Sequence, residues 1–230
     1  MNTFNNLQLT QQPTPSRHRL RVPPANNDAG LVTQIAKSLK LNPLRLNLLN
    51  SALHCLRFAD NICGYPSWIL TDASGQTAVA RRMDGKPYPP TGCLCERKVQ
   101  YLPGANRAWP LGLIIPDGII PQDAWIVLVV GPTEYLAALD VLACAKTPFH
   151  PIALIDESQP IEPLFQCLFR GRKVLIITPY GDPGLFTAQR WWRELAEFGA
   201  TVEARQLAIR DLLYSVGRHG APAVANMLNL

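Results

Sequence analysis

The chain has 230 residues, 47% of them hydrophobic, a mean hydropathy of +0.02 and a formal net charge of +5. That size fits one large domain or two small ones with a real core, and the composition excludes fibrous and wholly disordered classes. No apolar run approaches bilayer-spanning length, and the polar start MNTFNNLQLTQQ has neither the pattern of a signal peptide nor a lipidation motif, so a cytoplasmic protein without membrane contact is expected.

The charge is unevenly placed. Residues 1–119 hold 13 Lys and Arg against 6 Asp and Glu, whereas residues 120–230 hold 9 against 11. A basic front half suggests an anionic partner there; solvated surface basics are the bland alternative. Six cysteines stand at 55, 63, 93, 95, 144 and 167. Cys55-x7-Cys63 is too wide and Cys93-x-Cys95 too narrow for paired zinc knuckles, so no zinc is expected. Cys144 and Cys167 fall on apolar helical positions and read as buried free thiols.

Residues 1–30 are rich in Asn, Gln, Pro and Ser, with Arg17, His18, Arg19 and Arg21 clustered, and read as a disordered basic tail. Leu31–Lys40 and Leu44–Leu56 have helical apolar spacing, separated by Asn42-Pro43, which starts a new helix. Pro66–Leu70 and Thr77–Arg82 flank the turn Asp72-Ala73-Ser74-Gly75 and predict a hairpin. Residues 91–107 look irregular, with one strand at Lys98–Leu102.

From Ile120 the pattern changes. Apolar runs at Ile126–Val130, Ile152–Ile155, Val174–Ile177 and Thr201–Ala204 alternate with helices at Thr133–Ala145, Ile161–Phe169 and Leu185–Phe198. Such runs with helical crossovers predict one α/β parallel sheet with helices on both faces, and ligands bind at the carboxyl ends of its strands. In the last helix Leu185, Ala188, Trp191/Trp192, Leu195 and Phe198 form the buried stripe, and Gly199 stops it.

Several segments, in this order, resemble the Toprim proteins of the primase-like phage and plasmid group. Ser67–Arg82 with Asp84-Gly85 is similar to the hairpin that precedes Toprim there. Leu102-Pro103-Gly104 and Trp109–Leu113 resemble the segment leading into the sheet. Val129–Ala138 (VVGPTEYLAA) is similar to the first Toprim motif, with Gly131 and Glu134 matching. Asp182 and Gly184–Trp192 are similar to the second motif and its helix, and Arg210-Asp211-Leu212 resembles the start of a Lys-Asp-Leu-Asn-Asp ending. The resemblance divides the chain into a basic tail (1–30), a primase-like α+β segment (31–119), a Toprim-like domain (120–216) and a C-terminal tail (217–230).

The departures lie in the chemistry. Val130 stands where the family has a glutamate, and Pro179 and Gly181 stand where it has the Asp-x-Asp pair that binds magnesium. Phosphoryl transfer needs a divalent ion gripped by several carboxylate oxygens. Glu134, Asp182 and Asp211 remain as candidate catalytic carboxylates, with Glu134 and Asp182 as ligands of a weak magnesium ion. Alternatively Glu134 and Asp182 stabilise helix N-termini. The resemblance therefore implies a nucleic-acid-binding replication protein of a mobile element with degenerate catalysis. An active, divergent primase or nuclease is one rival, and a non-catalytic protein scaffold is another. Arg81, Arg82, Lys86, Arg97, Lys98 and Arg107, interleaved with Tyr88, Tyr101 and Trp109, form a candidate path for single-stranded DNA or RNA. A replicative helicase or another replication protein is the implied partner. No Walker loop or Gly-x-Gly-x-x-Gly occurs.

Overall fold

Local capping chemistry sets where the first helices begin and end. The computed structural model describes residues 20–24, 28–71, 73–90, 96–113, 120–121, 123–146, 148–207 and 210–230. The Asp28 carboxylate accepts the N–H groups of Gly30 (2.8 Å) and Leu31 (3.2 Å) and opens α1 (Ala29–Leu39), which Lys40 closes at φ 58°. The Asn42 side-chain oxygen accepts the Arg45 N–H at 3.0 Å, and Pro43 begins α2 (Pro43–Leu53). That helix ends at His54 (φ 49°), short of the Leu56 expected from spacing, because buried Asn50 accepts the Leu56 N–H at 2.9 Å and turns the chain into a strand.

The strand is β1 (Leu56–Ile62), which the sequence reading did not contain. It pairs antiparallel with β2 (Tyr65–Thr71), which pairs with β3 (Ala78–Arg82), and then comes β4 (Gln100–Tyr101). The β2–β3 hairpin was expected and closes with Thr71 opposite Ala78; Asp72 of its turn lies outside the described residues. β4 is shorter than the expected Lys98–Leu102.

The second sheet contains β5 (Trp125–Val130), β6 (Phe149–Leu154), β7 (Lys173–Thr178) and β8 (Thr201–Gln206) in the order β6-β5-β7-β8, all pairs parallel. The fold is thus the mixed α/β one expected, with the parallel strands in a single sheet. Leu111 pairs antiparallel with Ala153 on the outer edge of β6. The neighbouring Gly112 has φ 77°, and a Cβ there would stand 2.6 Å from the Pro151 carbonyl oxygen, so this close approach needs glycine.

Alternation along the strands sends side chains to two cores. Val127, Val129, Leu175 and Ile177 face a layer made by α1, α2, α3 (Gly131–Leu142), α6 (Leu212–His219) and α7 (Ala221–Met227). Ile126, Leu128, Val174 and Ile176 face the opposite layer, with Phe165, Phe169 and the Ala188/Trp191/Leu195 stripe of α5 (Asp182–Glu197). The first core also holds Val32, Leu46, Leu56 and Val79, so the front segment and the parallel sheet share one interior.

Four expectations change here. The helix at Ile161–Phe169 is a 3-10 turn (Pro163–Phe165) followed by one turn, α4 (Gln166–Phe169), since Pro163 can only open a helix. Phe165 and Phe169, four residues apart, take its buried side and leave Cys167 exposed; Cys144 is half-buried. On α5, Trp191 is buried but Trp192 and Leu185 are exposed, because the helical stripe admits one of two adjacent tryptophans. Residues 217–230, read as a tail, finish α6 and form α7, which buries Ala221, Val224, Ala225 and Leu228. Of the basic tail, residues 1–19 and 25–27 lie outside the described residues; Leu20 and Val22 pack against a small third core made of Ile69, Ala78, Ala80, Tyr88 and Leu102. No helix among the described residues is long and apolar enough to cross a membrane.

Candidate nucleic-acid interface and carboxylate site

At the carboxyl end of β5 the chain passes through Val130 and Gly131 (φ 86°) directly into α3. Glu134 lies in the first turn of that helix and is 8% exposed. Its Oε2 accepts the N–H of Leu213 at 3.0 Å, in the first turn of α6. Asp211 caps the same helix: its Oδ1 accepts the Tyr214 N–H at 2.7 Å. Two carboxyl groups from distant parts of the chain thus satisfy N–H groups that a helix start leaves unpaired.

Burial pushes the Glu134 carboxyl up to about 8, with the Asp211 charge adding to the rise and Arg81 opposing it. At neutral pH Glu134 is therefore mostly protonated. Arg81 reaches over from β3 and donates from Nη1 to Thr133 Oγ1 at 3.2 Å; burial lowers the affinity of its guanidinium for a proton, and Glu134 works the other way.

Asp182 is the exposed first residue of α5, after β7. Gln206 holds this loop by donating to the carbonyls of Pro179 (3.1 Å) and Gly181 (2.9 Å), and Tyr180 N–H donates to the Arg210 carbonyl. A Cβ on Gly184 would stand 1.9 Å from the Pro179 carbonyl oxygen, so the loop lies directly on the helix. Among the described residues no group of three or more His, Cys, Asp and Glu side chains is gathered to hold a metal ion. The structure brings Glu134 and Asp211 together but does not join them with Asp182 in such a group. Glu134 and Asp211 each accept an N–H at the start of α6, and a magnesium ion needs several converging anionic oxygens.

The basic constellation does not form one patch either. Neighbours on a strand point to opposite faces, so Arg81 follows Val79 into the first core while Arg82 follows Ala80 towards the third. Arg82 is fully engaged: Nε donates to Asp84 Oδ1 at 3.0 Å, Nη2 to Asp84 Oδ2 and Nη1 to the Pro87 carbonyl at 3.0 Å, and the guanidinium lies 3.7 Å from the Tyr65 ring centre. Tyr88 is a core residue, its hydroxyl 2.8 Å from Ser67 Oγ, and Trp109 packs edge-on against Phe165. The buried Tyr88 ring presents no face for a base.

What stays accessible is Lys86, Lys98 and Arg107, all exposed, with half-buried Arg97 bridged to Tyr88 through the backbone. Arg107 stacks 5.3 Å from the centre of the Tyr101 ring; burial, then Asp156, pushes the Tyr101 hydroxyl up to about 12, so it stays a neutral donor. Sequence reasoning missed Thr133 as the partner of Arg81, and missed Lys40 and Arg218, which meet Arg210 around one cavity. Lys40 and Arg210 are 170 positions apart, and no local pattern marks such a meeting.

No family model and no curated protein matches the sequence. Solved structures do match. The primase fragment of the bacteriophage T7 primase-helicase protein is similar over 86% of this chain and 73% of that one, at 10% identity and a TM-score of 0.55. A chain from the structure of the T7 lagging-strand DNA polymerase with primase domains bound to an RNA/DNA hybrid and dTTP matches over 84% and 89%, at 11% identity and a TM-score of 0.58. The Aquifex aeolicus primase, with its zinc-binding and RNA polymerase domains, matches over 84% of this chain and 54% of that one, at 14% identity and a TM-score of 0.54. At these identities the likeness shows the fold, and the fold is primase-like.

Proposed function

We propose that this chain is a Toprim-type, primase-related nucleic-acid-binding protein that serves the DNA replication of a mobile element and has lost metal-dependent catalysis. The observation that carries the reading is the state of Glu134. Within a primase-like fold, its carboxyl is buried and hydrogen-bonded to the start of α6. Val130 leaves the end of β5 without a carboxylate, and Asp182 is the exposed first residue of α5. Polymerisation or nuclease chemistry through Glu134, Asp182 and Asp211 lacks its ion-holding set.

Binding to single-stranded DNA or RNA belongs to the same reading, carried by exposed Lys86, Lys98 and Arg107 beside Tyr101. A replication-protein partner, such as a helicase, is supported by the exposed Leu185, Phe186 and Trp192 on α5. The test has two arms with the purified chain. Template-dependent primer synthesis with magnesium or manganese is expected to be absent, and binding to single-stranded oligonucleotides is expected to weaken steeply with salt. Robust synthesis restores the active-primase rival, and salt-insensitive or absent binding leaves only the scaffold.

A further inference from the structure

β8 ends the parallel sheet, and among the described residues no strand or isolated bridge pairs with its outer side. The Thr201 N–H donates inward to the Arg172 carbonyl at 2.8 Å, so Thr201, Glu203 and Arg205 direct their backbone groups towards β7. Alternation then turns the N–H and C=O groups of Val202, Ala204 and Gln206 outward. An open edge of this kind is a template for another strand. The side chains alternate as well. Val202 packs on the second core, and Ala204 lines a groove of about 410 Å³ with Leu185, Ala188 and Trp192 of α5. On the opposite face Arg205 donates to the Leu228 carbonyl and, at 3.0 Å, to Glu203. Phe186 is not in the groove lining, so α5 keeps an exposed apolar residue outside it.

This edge is complementary to itself. Placed antiparallel about a two-fold axis at Ala204, two β8 strands set Ala204 against Ala204, Val202 against Gln206, and Glu203 against Arg205 of the second copy. The first two kinds of pair carry the outward N–H and C=O groups and exchange ladder hydrogen bonds. The charged pair is of the non-hydrogen-bonded kind, in which facing side chains stand closer. Centring the axis on Glu203 or Arg205 instead opposes like charges, so the charge pattern selects the register. The helices agree with it. α5 lies over β7 and β8, which places it and its copy two strand spacings apart in the joined sheet, roughly 9.6 Å. Packed helices stand about 8–10 Å apart, so the two grooves close on each other with exposed Leu185 and Trp192 at the seam. We propose that the chain forms a symmetric dimer through β8, which joins two four-stranded parallel sheets into one and pairs the α5 helices.

Sedimentation equilibrium of the full chain tests the dimer, in reducing buffer so that exposed Cys63 and Cys167 do not cross-link. The mass is expected to rise with concentration from 25.4 kDa towards twice that value. Glu203→Arg and Arg205→Glu should each weaken association about tenfold or more, because each sets like charges against one another across the axis. Mixed together, the two variants should associate again, since every facing pair is then opposite in charge. Ala204→Pro removes an outward N–H without touching the β7 ladder and should also abolish the dimer. Leu48→Ala, at an exposed apolar position on α2, should leave it intact. Circular dichroism checks that each variant folds. Where Arg205→Glu unfolds the chain, because Arg205 also holds the Leu228 carbonyl, Glu203→Arg and Ala204→Pro carry the test. A monomer at every concentration overturns the proposal and leaves the edge to a strand of another protein. Association that survives Glu203→Arg and Ala204→Pro, its loss in Leu48→Ala, or folded charge variants that fail to pair with each other overturns it too.

Discussion

Glu134 and Leu213 are 79 residues apart, yet the carboxyl of the first accepts the backbone N–H of the second at 3.0 Å, joining the start of α3 to the start of α6. The pair gives Glu134 a definite structural task at the position where the sequence suggested chemistry. It also makes the pH dependence of folding informative. The folded carboxyl titrates at about 8, against 4.5 for its ordinary value, chiefly through burial. Between those values the unfolded chain has released the proton and the folded one still holds it. This contribution is therefore full below about pH 4.5 and lost as pH rises towards 8, on the order of 3–5 kcal/mol in all. Glu134→Gln removes it. In urea unfolding the variant should gain on the parent steadily from pH 5 to pH 9. A stability difference that does not change with pH would show that Glu134 is ionised when folded.

Arg82 and the exposed basics should separate cleanly. Arg82 is tied to Asp84, the Pro87 carbonyl and the Tyr65 ring. Arg82→Ala should cost about 1–2 kcal/mol of stability and leave the salt dependence of oligonucleotide binding alone. Lys98→Ala and Arg107→Ala should do the reverse, each lowering the log–log salt slope by about 0.7 for a single strand. An Arg82→Ala protein that melts normally but binds poorly would return Arg82 to the interface.

Arg81 and Arg82 show how far the sequence could be read. The parallel sheet was legible because Ile126–Val130 and Val174–Ile177 are continuous apolar runs with helices between them, and both lie in it. The β2–β3 hairpin was legible from its turn. β1 was not: its burial pattern has no clean alternation, and Leu56 simply extends the apolar spacing of α2. Within the site, Glu134 and Asp211 were found from motif resemblance, but their duty as helix-start acceptors depends on where α6 packs. Grouping Arg81 with Arg82 ignored the two-residue period of a strand, which already separates them.

The ion pair behind the site is a third test. Asp140 on α3 is 1% exposed, and accepts from Arg45 Nε at 2.5 Å and from the Asn42 N–H at 3.2 Å, locking α2 onto α3. Removing the cation strands a buried carboxylate, so Arg45→Ala should cost about 3–5 kcal/mol, and Arg45→Ala with Asp140→Ala should cost less than the sum of the single changes. Additive losses in chemical denaturation would mean that the two groups do not interact.

Restoring the missing carboxylates is the most demanding test of lost catalysis. Val130 precedes α3 at the end of β5, half-buried, with its side chain against the second core. Val130→Glu trades that packing for a half-buried carboxylate, and should cost about 1–2 kcal/mol without producing activity. Pro179→Asp and Gly181→Asp complete the set of side chains that the Toprim reading calls for, but the backbone refuses the second. Gly181 has φ 106° and ψ 177°, a conformation essentially confined to glycine, and its carbonyl is held by Gln206. An aspartate there must either strain the loop or move it off Gln206, and the Gly184 contact with Pro179 leaves little room to move. The triple variant should therefore be less stable than Val130→Glu alone, by a further 1–3 kcal/mol or so, and should show no heat of magnesium binding in calorimetry. Magnesium binding and primer synthesis by the triple variant would establish that this loop still reaches the geometry of a working site.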